Sequence, residues 1–405
     1  MQLSRAALLT LLVSAWVLFS LGARADGDVD ATSTVFYESG GNLHMTVINP
    51  SVQGRVGLSE HADLSVGWDA DIVTGASVAI VDSPGTPSDV DAITSATVLK
   101  DVRHVFRGGL RLRGDDAYVS GSYGYGFESD YRSHQLVLQA GSELYGRNTA
   151  FDITYVKGWD SVCDLSQSSG LAASERARLP TSDGCFSADD RASRPLSRHA
   201  LQGSWTQAWG PLWNTQLVLS TQLLRGFQSN PYRAIWIGTA AQEHHPDDRA
   251  RFAVGLGTRI WLRPIGGALQ LFGRGYRDTW NVTSFSAELG YERNLGELFR
   301  ARVRGRYYQQ TAAAFYSDDY TLAPAGQYFT GDRELSDMRS YLAGARLEFI
   351  PRPQEDGSVA GFLQGLTVVL KADWLQYAFE SFRYGTQKVP NNRAILGTLG
   401  VEATF

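Results

Sequence analysis

The run Glu243-His244-His245-Pro246-Asp247-Asp248 brings two imidazoles and three carboxylates together in a short stretch. Such a set could hold a zinc ion or activate a water molecule for hydrolysis. Adjacent ligands on a loop give poor metal geometry, however, and no His-Glu-x-x-His or similar spacing accompanies them. We therefore expect no catalytic residue, no metal site and no cofactor, and a surface hydrolase is the weakest functional reading.

A second group of chemistry-bearing residues is strongly periodic. Arg300, Arg302, Arg304 and Arg306 share one face of a segment whose other face is Ala301, Val303, Gly305 and Tyr307. The preceding segment places Ser284, Ser286, Glu288 and Glu292 on one face. A turn centred near Glu297 would set Glu292 opposite Arg302 and Glu288 opposite Arg306. Arginine keeps its charge in proteins, so such cross-strand pairs suit a wet interior, either as a channel constriction or as bracing for a closed barrel. Arg103, Arg107 and Arg111 repeat the pattern earlier in the chain, and all nine residues are lumen candidates.

Two seven-residue stretches, starting at Asp71 and Asp91, each read Asp-x-[Val/Ile]-Thr-[Gly/Ser]-Ala-[Ser/Thr]. Asp71, Thr74, Asp91 and Thr94 could bind a cation or a glycan at the surface. The alternative is a β-extension that closes its loop on itself, in keeping with the strand preference of these residues. The two cysteines, Cys163 and Cys185, lack a Cys-x-x-Cys spacing and are expected to pair as a loop staple in an oxidising compartment.

The elements that position these groups follow from alternation. The last stretch, Ile395 to Phe405, sets Phe405, Ala403, Val401, Leu399, Gly397 and Ile395 on one face and mostly small or polar residues on the other. One face suits lipid and the other a wet interior. Similar segments recur: Leu64, Val66, Trp68, Ala70 and Ile72 share a face, as do Phe252, Val254, Leu256, Ile260 and Leu262. Sixteen such strands can be traced, with fourteen as the alternative should Thr32–Ser39 not pair. The fold class is then all-β, a transmembrane antiparallel barrel. Its connections alternate between short turns and long loops (Gly75–Asp101, Asp160–Leu196, Gln228–Arg249, Ala312–Met338 and Phe379–Asn392), with 352–363 long for a turn. That puts both termini in the periplasm and the long loops outside.

Arg5, the apolar stretch Ala6–Leu21 and Ala23-Arg24-Ala25 read as a signal peptide over 1–25, cleaved after Ala25, which leaves 26–405 as the barrel. No later run is long and apolar enough for a spanning helix. The chain holds 37 Lys+Arg against 42 Asp+Glu, and removal of Arg5 and Arg24 leaves 35 against 42, a net of −7. That balance argues against nucleic acid as a partner. A mean hydropathy of −0.20 alongside 11% aromatics fits strands with one lipid face and one wet face.

Family resemblance rests on several motifs in order: the two Asp-x-[Val/Ile]-Thr repeats; Phe127-Glu128-Ser129-Asp130-Tyr131-Arg132-Ser133; Tyr276-Arg277-Asp278-Thr279-Trp280; and Arg306-Tyr307-Tyr308-Gln309-Gln310 with Ala313-Ala314-Phe315-Tyr316. On these the chain resembles a family of bacterial outer-membrane β-barrel proteins of unknown function. The resemblance implies a fold and an address in the cell outer membrane, and brings no substrate. The terminal Phe405 is similar to the assembly signal of such barrels, so outer-membrane lipid and the barrel-assembly machinery are expected partners, with other envelope proteins open. A porin-like channel for small solutes is the leading functional expectation, and a closed scaffold for an envelope assembly is the alternative.

Overall fold

The computed structural model describes residues 26–40, 43–75, 80–82, 90–94, 99–165, 186, 191–231, 233–237, 240–320, 325–353, 358–359, 361, 363–384, 387–388 and 392–405. The expected signal peptide and Cys185 lie outside them.

Sixteen antiparallel strands close into a barrel, each paired with its neighbours in sequence. They are β1 Gly27–Gly40, β2 Leu43–Ser59, β3 Ala62–Gly75, β4 Leu99–Arg113, β5 Ala117–Phe127, β6 Tyr131–Leu144, β7 Thr149–Leu165 and β8 Arg191–Gly210. The second half comprises β9 Trp213–Gly226, β10 Asp248–Leu262, β11 Gly267–Asp278, β12 Thr283–Leu295, β13 Phe299–Gln310, β14 Met338–Phe349, β15 Gly365–Phe379 and β16 Asn392–Thr404. Closure is made by β1 against β16, in register from Asp28↔Thr404 to Ser39↔Arg393. Thr32–Ser39 thus pairs on both sides, which removes the fourteen-strand alternative.

The alternation read from sequence decides which side chains face out. Val66, Phe106, Leu110, Val119, Ile153, Leu219, Leu256, Leu289, Val303 and Ile395 are all exposed on the outer wall. In water so large an apolar surface would be an association hazard; in a bilayer it is the solvated face. Aromatic rings collect toward the two ends of this band. Trp205, Trp209 and Trp213 form one chain of ring contacts near the short turns, and Tyr123, Tyr125, Phe127, His134 and Trp159 form another near the long loops. Amphipathic rings at both ends of an apolar band match the interfacial girdles of membrane barrels. At the seam, the Phe405 amide donates to the Gly27 carbonyl at 2.9 Å, and Phe405 packs against the buried cluster of Val359, Leu363 and Ala403.

Because every pairing is antiparallel and consecutive, alternate connections emerge at opposite mouths. The mouth carrying the termini has turns of two to four residues, except for 350–364 between β14 and β15. The other mouth carries the long connections 76–98, 166–190, 227–247, 311–337 and 380–391.

Candidate functional site: a charged lumen beneath a three-loop lid

The lumen wall on β12 to β15 is an ion-pair network. The register sets Glu292 opposite Arg302 and Glu288 opposite Arg306, as the turn position implies. The side chains nevertheless pair diagonally. Glu288 takes Arg302 at 3.0 Å and Arg304 at 3.3 Å, while Glu292 pairs with Arg259 on β10. Missing side chains explain much of this. Arg302 lies over Gly290, where an added Cβ would stand 3.3 Å from its Nε, and so reaches Glu288 two residues further along the same face. Arg304 and Asp373 meet at 2.9 Å although β14 runs between their strands. The residue between them in register is Gly344, and any Cβ there would collide with the Asp373 carboxylate. Tyr118 and Asp152 use the same device over Gly141, with the phenol donating at 2.8 Å. Arg300 pairs with Glu348 at 3.3 Å, Arg346 with Glu348 at 2.7 Å, and Lys371 with Asp373 at 2.9 Å. A cavity of about 530 Å³ lies against this wall.

The β4 arginines divide. Arg107 pairs with Asp69, Arg111 covers the Tyr118 ring at 3.7 Å, and Arg103 faces the Tyr131 ring at 5.5 Å. Arg306 has no ion pair among the described residues, because its register partner Glu288 leans toward Arg302 and Arg304.

The second part of the site lies over the mouth with the long connections. A four-stranded sheet runs in the order 240–242, 233–236, 90–94, 80–82. Its central pairing, Arg233↔Thr94 through Ile235↔Ala92, joins the β9–β10 connection to the β3–β4 connection. Those connections leave the rim several strands apart, so they meet by reaching in over the opening. The β13–β14 connection joins them: His244 and Phe329 exchange backbone hydrogen bonds at 3.0 and 2.9 Å. Ile235, Ala241, Tyr320 and Phe329 form a buried core between the loops. Further along, Arg333 makes a bidentate pair with Glu38 on β1 at 2.5 and 2.9 Å, and Asn392 also donates to Glu38. The β13–β14 connection therefore passes over β14, β15 and β16 to fasten to the far side of the closure seam.

Glu243 is the polar centre of this lid and is 1% exposed. Its carboxylate accepts from the Thr330 hydroxyl at 2.8 Å and the Asn230 amide at 3.1 Å. It lies 3.6 Å from Arg233 and 3.3 Å from His245 Nε2, while Arg233 also pairs with Asp332 at 2.5 Å. Burial by itself would raise the Glu243 carboxyl. Arg233, His245 and the Thr330 hydroxyl overcome that and hold it at about 2.

The His-rich run read as a hydrolase candidate is thus lid structure. His245 packs against Trp280 and Phe315, and His244 Nδ1 lies 2.7 Å from the Gln327 carbonyl. Asp248 opens β10 and pairs with Arg225 at 3.5 Å. Among the described residues no group of His, Cys, Asp and Glu is arranged to hold a metal ion.

The repeat stretches part company. Asp71 to Gly75 ends β3, where Asp71 accepts from Asn49 at 2.8 Å and Thr74 pairs in register with Lys100. Val90–Thr94, which contains Asp91 and Thr94, pairs with 80–82 and also with 233–236. The second repeat is therefore a strand that closes its loop on itself, as one of the two expectations had it, and also ties it to another loop, a pairing that no local motif announces. Cys163 is fully buried at the end of β7 and is not a free thiol.

Sequence reasoning also missed Asp278. It accepts from Arg249 Nε at 2.8 Å, the Tyr276 hydroxyl at 2.7 Å, and the Trp280 and Val282 amides at 3.0 and 2.9 Å. The Tyr-Arg-Asp-Thr-Trp motif was the available signal. Its aspartate organises the β11–β12 turn, whose Trp280 packs with Ala313 and Leu335 of the lid.

A closed sixteen-stranded barrel with an apolar outer band and a charged interior is a barrel of the outer-membrane type. The chain belongs to the family described as "Protein of unknown function (DUF3570)", whose profile matches residues 3–349. No curated protein matches the sequence. Among solved structures it is similar to a bacterial polysaccharide outer membrane secretin (8% identity, 92% of this chain and 97% of that chain, TM-score 0.49). It is also similar to OprB of Pseudomonas putida (10% identity, 94% of each chain, TM-score 0.48). A third is OccK2 (OpdF) of Pseudomonas aeruginosa (10% identity, 93% and 98%, TM-score 0.40).

Proposed function

We propose that this protein is a porin-like channel for small solutes in the outer membrane, with a lid of three loops controlling entry at its outer mouth. The termini then lie in the periplasm and the signal peptide is removed after Ala25. The reading is carried by one observation: a sixteen-stranded barrel lined by a charged network, with one mouth crossed by a sheet built from separate loops. Barrels of this strand number leave an aqueous path unless something fills them, and the lid stands over the mouth of that path. Charge-lined walls hold water and ions where apolar packing would exclude them.

A second reading is a closed scaffold for an envelope assembly. The ion-pair network and the inter-loop sheet favour it, since both would also rigidify a barrel that never opens. Planar-bilayer recording of the refolded mature chain separates the two, using wild type and a variant lacking 233–242. We expect rare or small steps from the wild type and larger, frequent steps from the variant. Silence from both, with heat-modifiable migration proving each barrel folded, would reject the channel and leave the scaffold.

A further inference from the structure

Beneath the lid, one group of arginines lacks the carboxylate partners that its neighbours have. Arg300, Arg302, Arg304 and Arg346 all pair with acids. Arg249 takes Asp278. By contrast Arg251, Arg274 and Arg306 make no ion pair among the described residues. Arg251 donates only to Gln222, at 3.0 Å. Arg274 faces the Tyr276 ring at 6.0 Å. Arg306 is left over because Glu288 leans away from it, and its Nε is buried without a hydrogen-bond partner.

These groups lie along one arc of the wall. Arg251, Arg274, Tyr276 and Gln222 line one lumen cavity of about 350 Å³. Arg274 stands in register with Ser286, and Ser286 with Tyr308, so a small residue separates the guanidinium from the phenol. Arg306 lies two residues from Tyr308 on the same face of β13. Guanidinium groups keep their charge, and Arg251 and Arg274, on a cavity whose lining holds no acid, with Arg306 two strands further along the wall, create a field that favours an anion. Their planar donor forks match the paired oxygens of a carboxylate or phosphate.

We infer that this arc, Arg251, Arg274 and Arg306, is a binding stage for the oxyanion group of a small solute held beneath the lid; the hydroxyls of Tyr276 and Tyr308 are already committed to Asp278 and Gln310. This rests on the channel reading, and it adds the substrate class: molecules bearing a carboxylate or a phosphate. The cavity admits a small metabolite-sized ligand. The guanidinium donors would bind the anionic end and leave the remainder toward the wider lumen.

The test is calorimetric titration of the refolded full-length mature protein with inorganic phosphate and, separately, with succinate. Wild type should bind at least one probe, and which one binds identifies the oxyanion. R274Q/R306Q should lose at least tenfold in affinity, R274K/R306K, which keeps the charge but not the planar fork, should fall between it and wild type, and R147Q, at an exposed turn arginine paired with Glu143, should bind as wild type does. Heat-modifiable migration establishes that each variant is folded. Binding of neither probe to wild type, or equal binding by wild type and folded R274Q/R306Q, overturns the inference. Because no current is measured, the two readings fail separately. A silent barrel that binds phosphate keeps the site and loses the channel, whereas a conducting barrel that binds neither probe loses the site alone.

Discussion

Removal of the Glu243 carboxylate should unlock the lid. The side chain is enclosed, and it joins the β9–β10 connection to the β13–β14 connection through Thr330 at 2.8 Å while neutralising Arg233 at 3.6 Å. Its carboxyl is held at about 2 against an ordinary 4.5. That shift corresponds to a differential interaction on the order of 3 kcal/mol. Breaking a buried pair by deleting one partner costs a similar amount, about 3 to 5 kcal/mol. Arg233 keeps Asp332 at 2.5 Å, so Glu243→Ala should cost the closed lid less, about 2 kcal/mol. A bias of that size moves a closed-to-open ratio roughly thirtyfold. Glu243→Gln retains the shape and an acceptor for Thr330, and should fall between wild type and Glu243→Ala. The assay is open probability in planar bilayers, paired with limited proteolysis of 227–247 and 311–337 in intact cells. Glu243→Ala with wild-type open probability and wild-type loop protection would refute the assignment of Glu243 as the lid's lock.

Further outcomes follow from the same contacts. A carboxyl depressed in the folded state contributes stability that is complete above its unfolded value and disappears as pH falls through its folded one. Lid closure should therefore weaken as pH drops from about 4.5 toward 2, and in Glu243→Gln loop proteolysis in that window should lose most of its pH dependence. Gly344→Ala should displace the Asp373 carboxylate from Arg304 and lower the midpoint of heat-modifiable unfolding by an amount equivalent to about 2 kcal/mol, whereas Gly397→Ala, which has open space at its Cβ position, should be nearly silent. Asp278→Ala strands Arg249, which is 9% exposed, and frees two turn amides; a loss of about 3 to 5 kcal/mol should appear as earlier thermal unfolding and faster cutting near 279–282. Reduction of the intact protein should increase protease cleavage within 166–190, because Cys163 is not free and a staple there would restrain the loop by about 3 kcal/mol.

The wall of this protein is local chemistry, and that is why it was legible in the sequence. Strand side chains alternate with a fixed period, so Phe405 to Ile395 and Phe252 to Leu262 declare their lipid face without reference to anything distant. Short turns set register across a hairpin, and the opposition of Glu288 to Arg306 could be read by counting from Glu297. What the ions do with that register was not legible. Which acid Arg304 takes depends on Gly344 standing between two strands, and Arg306 is left over because Glu288 turns toward Arg302 and Arg304. Those outcomes need three strands in place at once. The lid lies further still from the sequence. Thr94 and Arg233 are neighbours only because closure of the barrel brings two distant connections to one mouth, and Arg333 finds Glu38 only across the seam that β1 and β16 complete. Periodicity fixed which residues face lipid and which face water; only the closed ring decided which of the charged ones would find partners.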